Sequence, residues 1–152
     1  MPKSLKSNQP TLTDLEREML KLPQVEAPVT HNFAEGVYVR ELLIPKDSWI
    51  MGKRHRYETC NILLKGKLSL YMGPGVPAKT IEAPLIFNSK PGTKKFAYAH
   101  EDTIFLNIHP TSETDVDKIE QEFIISEDEF EKLDYSEIKK LERGEICLGQ
   151  QQ

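Results

Sequence analysis

Cysteine is scarce in this chain. The 152 residues hold two, Cys60 and Cys147, far apart and in no Cys-x-x-Cys pair. That excludes a disulfide framework and a cysteine-rich zinc site, and it is the usage expected in a reducing cytoplasm. Long apolar runs are missing too. None approaches the ~18 consecutive apolar residues of a membrane span, and no apolar stretch follows the opening Met1-Pro2-Lys3-Ser4-Leu5-Lys6. Neither a membrane partner nor a secretory signal is therefore expected. No G-x-x-x-x-G-K-[ST] loop occurs, which removes the P-loop nucleotide hydrolases, and no G-x-S-x-G nucleophile elbow occurs. No internal repeat shows at a period of roughly 20–50 residues.

What is present is one domain's length of chain, enough for a real core, with lopsided charge. The net charge of −4 hides three zones: residues 1–36 carry net −1, residues 37–100 net +7, and residues 101–152 net −10. A basic middle inside an acidic protein is a candidate surface for an anionic ligand. The competing reading is that the acidic tail packs against the basic middle and neutralises it. Nucleic acid is not an expected partner, because Lys53-Arg54-His55-Arg56 is a short run and the tail would repel a phosphate backbone.

Along the chain, residues 1–10 are polar, hold two prolines and read as a loose arm. Thr13-Asp14-Leu15-Glu16 has capping-box spacing, in which a threonine oxygen and a carboxylate satisfy opposite orphan backbone donors. A short helix to about Lys21, stopped by Pro23, and an extended lead-in marked by Pro28 fill residues 11–35. From Gly36 the apolar period becomes two, as in Cys60, Ile62, Leu64 and again Leu68, Leu70, Met72. Turns fall at Pro45-Lys46-Asp47, Gly73-Pro74-Gly75 and Pro91-Gly92. About seven or eight short strands over residues 36–110 predict an all-β sandwich or barrel. Residues 111–152 read as an acidic helical tail. Ile119, Phe123 and Ile124 share a face, Ser126-Glu127-Asp128-Glu129 is a second capping box, Ser136 to Leu141 is a third helical pattern, Gly144 is a stop, and the terminal glutamines read as frayed.

The stretch from Tyr38 to Pro110 resembles a cupin. The first cupin motif, two histidines and a glutamate between two glycines, is matched by Gly52-Lys53-Arg54-His55-Arg56-Tyr57-Glu58-Thr59 and then Gly66; the second is matched by Lys90-Pro91-Gly92-Thr93-Lys94-Lys95. The whole also resembles small cupin-like proteins encoded by tailed bacteriophages, down to the Glu101-Asp102-Thr103 step and the acidic terminal helix. The resemblance implies a mainly β fold, a single cupin-like (jelly-roll) β-barrel with a short N-terminal helix and C-terminal helices. It also implies a homodimer or larger homo-oligomer, and a cytoplasmic setting that is the host's if the origin is viral.

The departures from the motifs carry the functional expectation. The family's metal seats fall on Lys53, His55, Thr59 and Lys95, and a slip of one residue would put Glu58 in place of Thr59. A protonated lysine has no lone pair and repels a divalent cation, so no cofactor is expected at these positions. The alternative metal set is His55, Glu58, His100 and His109; His31 lies outside the motif span. By strand alternation Lys53 and His55 share one face, and Arg54 and Arg56 the other. The expected ligand-binding residues are Lys53, His55, Tyr57, Glu58, Lys95 and Tyr98, lining a pocket for a small anionic molecule, a nucleotide-like one included, with an aromatic wall from Tyr57, Tyr71, Phe96 or Tyr98. Cys60, within an apolar strand, reads as a core residue rather than a nucleophile. Three functions stand open: a non-catalytic binder that sequesters a host metabolite or immune signal, a metal-dependent oxygenase, isomerase or lyase, and a virion-associated structural or interaction protein.

Overall fold

The structure, a computed structural model, describes residues 10–145. Cys147 and the terminal glutamines lie outside the described residues. Fifteen short elements follow one another: α1 (Leu12–Met19), β1 (Val29–Ala34), β2 (Val37–Ile44), β3 (Trp49–Met51), β4 (Arg54–His55), β5 (Thr59–Lys65), β6 (Lys67–Tyr71), β7 (Lys79–Glu82), β8 (Leu85–Ser89), β9 (Phe96–Ala99), β10 (Thr103–His109), α2 (Val116–Phe123), β11 (Ile124–Ile125), α3 (Glu127–Glu131) and α4 (Tyr135–Glu142). The strands form a five-stranded sheet in the order β1-β2-β10-β5-β8, a four-stranded sheet in the order β3-β9-β6-β7, and the small pair β11-β4. All pairings are antiparallel. The expected closed barrel is thereby corrected: the sheets do not close. No described helix is long and apolar enough to cross a membrane.

Alternation builds the core. In β10 the residues Thr103, Phe105, Asn107 and His109 are buried, while Ile104, Leu106 and Ile108 turn outward. Leu42, Ile44, Leu63, Leu68, Leu70, Ile81, Ala97, Ala99 and Phe105 pack as one cluster between the sheets. Each large member contributes about 1.5–3 kcal/mol by leaving water. Gly66, between β5 and β6, has φ +100, and a Cβ there would lie 2.3 Å from the Thr103 hydroxyl, so this tight connection requires glycine.

Several boundaries differ from the sequence reading. The first helix is capped by Thr11 with Asp14 reciprocating, two residues ahead of the expected box. The lead-in before Gly36 contains β1, which pairs along β2 from Val29↔Leu42 to Ala34↔Val37. The last helix begins at Tyr135, one residue ahead of the expected start at Ser136, and is capped by Asp134 with Glu137. Cys60 faces outward and is only part-buried, on the solvent side of the five-stranded sheet.

The terminal helices are fastened by ion pairs. The side chains of Arg54, Arg56 and Lys94 retain 10%, 6% and 4% of their exposure. Lys94 Nζ donates to Glu16 of α1 and, at 2.9 Å, to Glu127 of α3. Arg54 lies 3.5 Å from Glu127, donates to the Gly92 carbonyl at 2.7 Å, and stacks 3.6 Å over the Phe130 ring. Arg56 grips Glu129 at 3.0 Å and donates to the carbonyls of Glu122 and Ile124. The acidic tail thus neutralises much of the basic middle. Burial pushes the Glu127 carboxyl up, but the hydrogen bond from Lys94 and the Arg54 charge outweigh it and hold the carboxyl below its usual range.

Removing one partner of a buried pair strands the other charge, whereas an exposed pair contributes little. Glu127→Ala is therefore expected to cost about 2–3 kcal/mol in urea unfolding. Glu120→Ala, which breaks the half-exposed pair to Lys53, should cost under about 1 kcal/mol. Equal costs would contradict this account of the fastening.

Candidate functional site

Between the sheets lies a cavity of about 150 Å³, covered by α2. Its floor is apolar: Leu42, Ile44, Leu68, Leu70, Ala97 and Phe105. Its polar end is set by strand register. On the inner face Tyr38 stands opposite His109, Arg40 opposite Asn107, and Leu42 opposite Phe105. The Arg40 row continues into β5 at Asn61, which reaches diagonally to Ser89 of β8. Asn107 Nδ2 donates to Asn61 Oδ1 at 2.8 Å, and Asn61 Nδ2 donates to Ser89 Oγ at 2.7 Å. One step along the strands therefore converts an apolar layer into a polar one.

From the other sheet, Lys95 precedes β9 and shares the inward parity of Ala97 and Ala99. Its backbone is held by the Gly52 N–H, which donates to the Lys95 carbonyl at 2.8 Å. The Lys95 side chain is part-buried and lines the cavity. Among the described residues its Nζ has neither a hydrogen-bond nor an ion-pair partner. Burial alone pulls the amine down from its ordinary value to about 8. Arg40 also lines the cavity without an ion-pair partner among the described residues.

The two imidazoles of the cavity, His55 and His109, stand 5.4 Å apart between ring centroids. Burial, reinforced by the Lys95 charge, pushes His55 down to about 3, and its Nδ1 is buried without a hydrogen-bond partner among the described residues. Burial, with Arg40, pushes His109 down to about 4. Both rings are uncharged at neutral pH. Helix α2 closes the mouth with Val116, Ile119, Glu120 and Phe123. Its C-terminal end is stitched down by the β11-β4 pair and by the Arg56 N–H donating to the Phe123 carbonyl at 2.7 Å.

The expected site residues scatter. His55 and Lys95 meet in the cavity. Lys53 reaches its rim, but its amine is half exposed and pairs with Glu120. Tyr57 packs edge-on against Phe123 under α2 and is not a lining residue. Glu58 is exposed and accepts from Asn88 at 3.1 Å. Tyr98 is on the outer face, where it donates to Asp47 at 2.9 Å and packs against Trp49. Phe96 stacks on Trp49, and Tyr71 donates to the Pro10 carbonyl. The aromatic wall is therefore outside the cavity, because these residues have the opposite parity to Leu70, Lys95 and Ala97. Sequence reasoning paired His109 with His55 but missed Arg40 and Asn107. The available signal was parity: Arg40 is in step with Leu42 and Ile44.

No family model matches the chain, and no curated protein matches it in sequence. Solved structures match its fold. Ectoine synthase from P. lautus superposes with a TM-score of 0.52 at 10% identity, over 76% of this chain and 87% of that one. This chain has the cupin fold. Lower on the scale are an uncharacterized conserved protein with a double-stranded β-helix domain from Klebsiella pneumoniae (TM-score 0.47, 17% identity, 71% of this chain and 88% of that one) and an RmlC-like cupin family protein from Methanocaldococcus jannaschii (0.47, 12%, 57% and 82%). At such identities the likeness is one of fold alone.

A metal ion, common on cupin folds, does not suit the side chains present. Of the alternative set, His100 is on the outer face, bonded to Ser69 at 2.6 Å, and Glu58 points to solvent. Among the described residues no three His, Cys, Asp or Glu side chains stand where they could hold an ion together. The donors left, two imidazoles, share their cavity with Arg40 and Lys95, whose charges oppose a cation.

The pH dependence of folding follows from these imidazoles. A histidine depressed in the folded state binds its proton more readily when unfolded, so its contribution is complete above about 6.5 and is lost as pH falls toward 3–4. Thermal melts from pH 7.5 to 4 are expected to show a steady fall in Tm worth a few kcal/mol. A His55→Gln/His109→Gln double variant should flatten that fall, and an unchanged slope would contradict neutral burial of the rings.

Proposed function

We propose that this cupin-fold protein binds a small anionic molecule with a short apolar body, without a metal. The observation that carries the reading is the pairing pattern of the cations. Arg54, Arg56, Lys53 and Lys94 have carboxylate partners, whereas Arg40 and Lys95, the two at the polar end of the cavity, have none among the described residues. Unpaired buried cations are costly unless something compensates them, and an entering carboxylate supplies that compensation at the mouth while its carbon chain meets the apolar floor. The volume favours a body near the size of benzene, about six non-hydrogen atoms, and argues against enclosing a nucleotide. The resemblance to phage-encoded proteins supports a setting in the host cytoplasm, where such a binder would sequester a host metabolite.

The cupin resemblance supports a homodimer or larger homo-oligomer. The surface that favours it is the outer face of the five-stranded sheet, where Val39, Leu43, Ile104, Leu106, Ile108, Cys60, Ile62, Leu64 and Ile86 form a band broken by Glu41 and Asn88. Bands of this extent mark interfaces on soluble proteins, and a second copy offers the same band.

Butyrate and benzoate are expected to raise the Tm, whereas butylamine and adenosine monophosphate should not. A ligand at ~100 times its Kd adds about 2.7 kcal/mol. Arg40→Met should remove the butyrate shift, and Lys95→Met should stabilise the ligand-free protein, by on the order of 2 kcal/mol, because it removes an amine whose protonation burial opposes. A retained shift in the first variant, or a loss of stability in the second, would overturn the cavity assignment. Sedimentation should give a dimer for the native chain and a monomer for Ile62→Glu; a native monomer would remove the dimer.

A further inference from the structure

Resting on that reading, we infer that Lys95 is a nucleophilic amine and that the cavity takes short oxo acids, whose carbonyl carbon it captures as an imine. Three features of the cavity converge on this. The Lys95 amine has no hydrogen-bond or ion-pair partner among the described residues, so no carboxylate locks it as an ammonium. Its surroundings in the cavity include Leu70, Ala97 and Met51 together with the rim pair Lys53–Glu120, whose carboxylate is held by Lys53. A second cation, Arg40, stands on the opposite sheet and offers the bidentate donors that suit a carboxylate. An oxo acid carries both complementary groups, a carboxylate for Arg40 and a carbonyl for Lys95. A plain carboxylic acid carries only the first.

Desolvation adds to this geometry. With its amine pulled down to about 8, Lys95 is roughly a tenth unprotonated at pH 7 and half unprotonated at pH 8. A solvated lysine at its usual value of about 10.4 is almost wholly protonated at both. The other titratable groups facing the cavity are Arg40, His55, His109, Tyr38, Lys53 and Glu120. Burial is what lowers the Lys95 amine, and Glu120 is engaged by Lys53.

The step balances without a further reactant. The Nζ lone pair attacks the carbonyl carbon, a C–N bond forms, and the former carbonyl oxygen takes a proton. Loss of that oxygen as water, with the remaining proton from nitrogen, leaves C=N; nothing is oxidised or reduced. His55, uncharged and lining the same cavity, can relay the proton from nitrogen to the departing hydroxyl.

Cyanoborohydride, which delivers hydride to an imine, tests this on the full chain with 2-oxobutyrate at pH 8. The expected product is a single adduct heavier than the protein by the oxo acid less one oxygen atom, located by peptide mapping at Lys95 and formed at least tenfold faster than on any other lysine. Butyrate should compete with it. Lys95→Arg, which keeps the charge but cannot form the imine, should abolish the fast adduct, and mapping on the native chain keeps the result independent of how that variant folds. No adduct, or one spread evenly over the lysines, overturns the inference. A butyrate-dependent rise in Tm that persists alongside that outcome leaves non-covalent anion binding standing, whereas absence of both removes the two together.

Discussion

The structure depends on how its cations are divided between two faces of the same strands. At Lys53-Arg54-His55-Arg56 and Lys94-Lys95, residues alternate between the interior of the sheet pair and its outside. Those directed outward, Arg54, Arg56 and Lys94, meet Glu127, Glu129 and Glu16. Stripping the partner from a buried charge costs several kcal/mol, so the acidic tail is a structural requirement of the basic middle. It brings α3 and α1 onto the sheets and, through Arg56 and β11, fixes the end of α2 over the cavity. The lid exists because the outward cations need partners. Of the inward ones, Lys53 pairs with Glu120, whereas Arg40 and Lys95 have no carboxylate partner among the described residues.

That division bears on what was legible in the sequence. The β region, the tail helices and the motif glycines follow from period and spacing, and the cupin resemblance rests on Gly52, Gly66 and the Pro91-Gly92 turn. The site was less legible. Lys95 and His55 were found through the motifs, but Tyr57 and Tyr98 were chosen for chemistry without parity, and parity excludes Tyr98 along with Phe96. Strand β2 is the instructive failure. Val37 and Val39 face outward while Leu42 and Ile44 face inward, so hydrophobicity changes face within one strand and hides the inward step that carries Arg40. An outer face apolar enough to pair with another surface removes the hydrophobic-in, polar-out contrast on which such reading relies.

The charge zones of the sequence illustrate a related limit. A net +7 middle and a net −10 tail are equally compatible with a ligand surface and with internal neutralisation, and the ion pairs of the structure supply the second. Neutralisation accounts for Arg54, Arg56, Lys94 and Lys53. The cavity keeps two cations without carboxylate partners among the described residues, Arg40 and Lys95, which contribute only +2 of formal charge. Summed charge does not reveal this, because what matters is which cations lack partners, and that is set by register and helix placement. The same holds for histidine. His55 and His109 meet only because β4 and β10 converge beneath α2, whereas His100, on the outer face, bonds Ser69.

Anion binding and imine formation make opposite demands on an amine, and the cavity separates them. A carboxylate placed against Lys95 would favour its ammonium form and suppress nucleophilicity. A carboxylate placed on Arg40, a guanidinium that stays charged at any ordinary pH, leaves the amine governed by its apolar surroundings. Arg40 projects from the five-stranded sheet and Lys95 from the start of β9 in the other, so an acid held by the first presents its carbon chain across the gap toward the second. The distance between carboxylate and carbonyl in the acid then becomes the natural selector among oxo acids. An acid whose carboxylate reached Lys95 itself would be held as a salt, and one whose carbonyl lay opposite the amine would react.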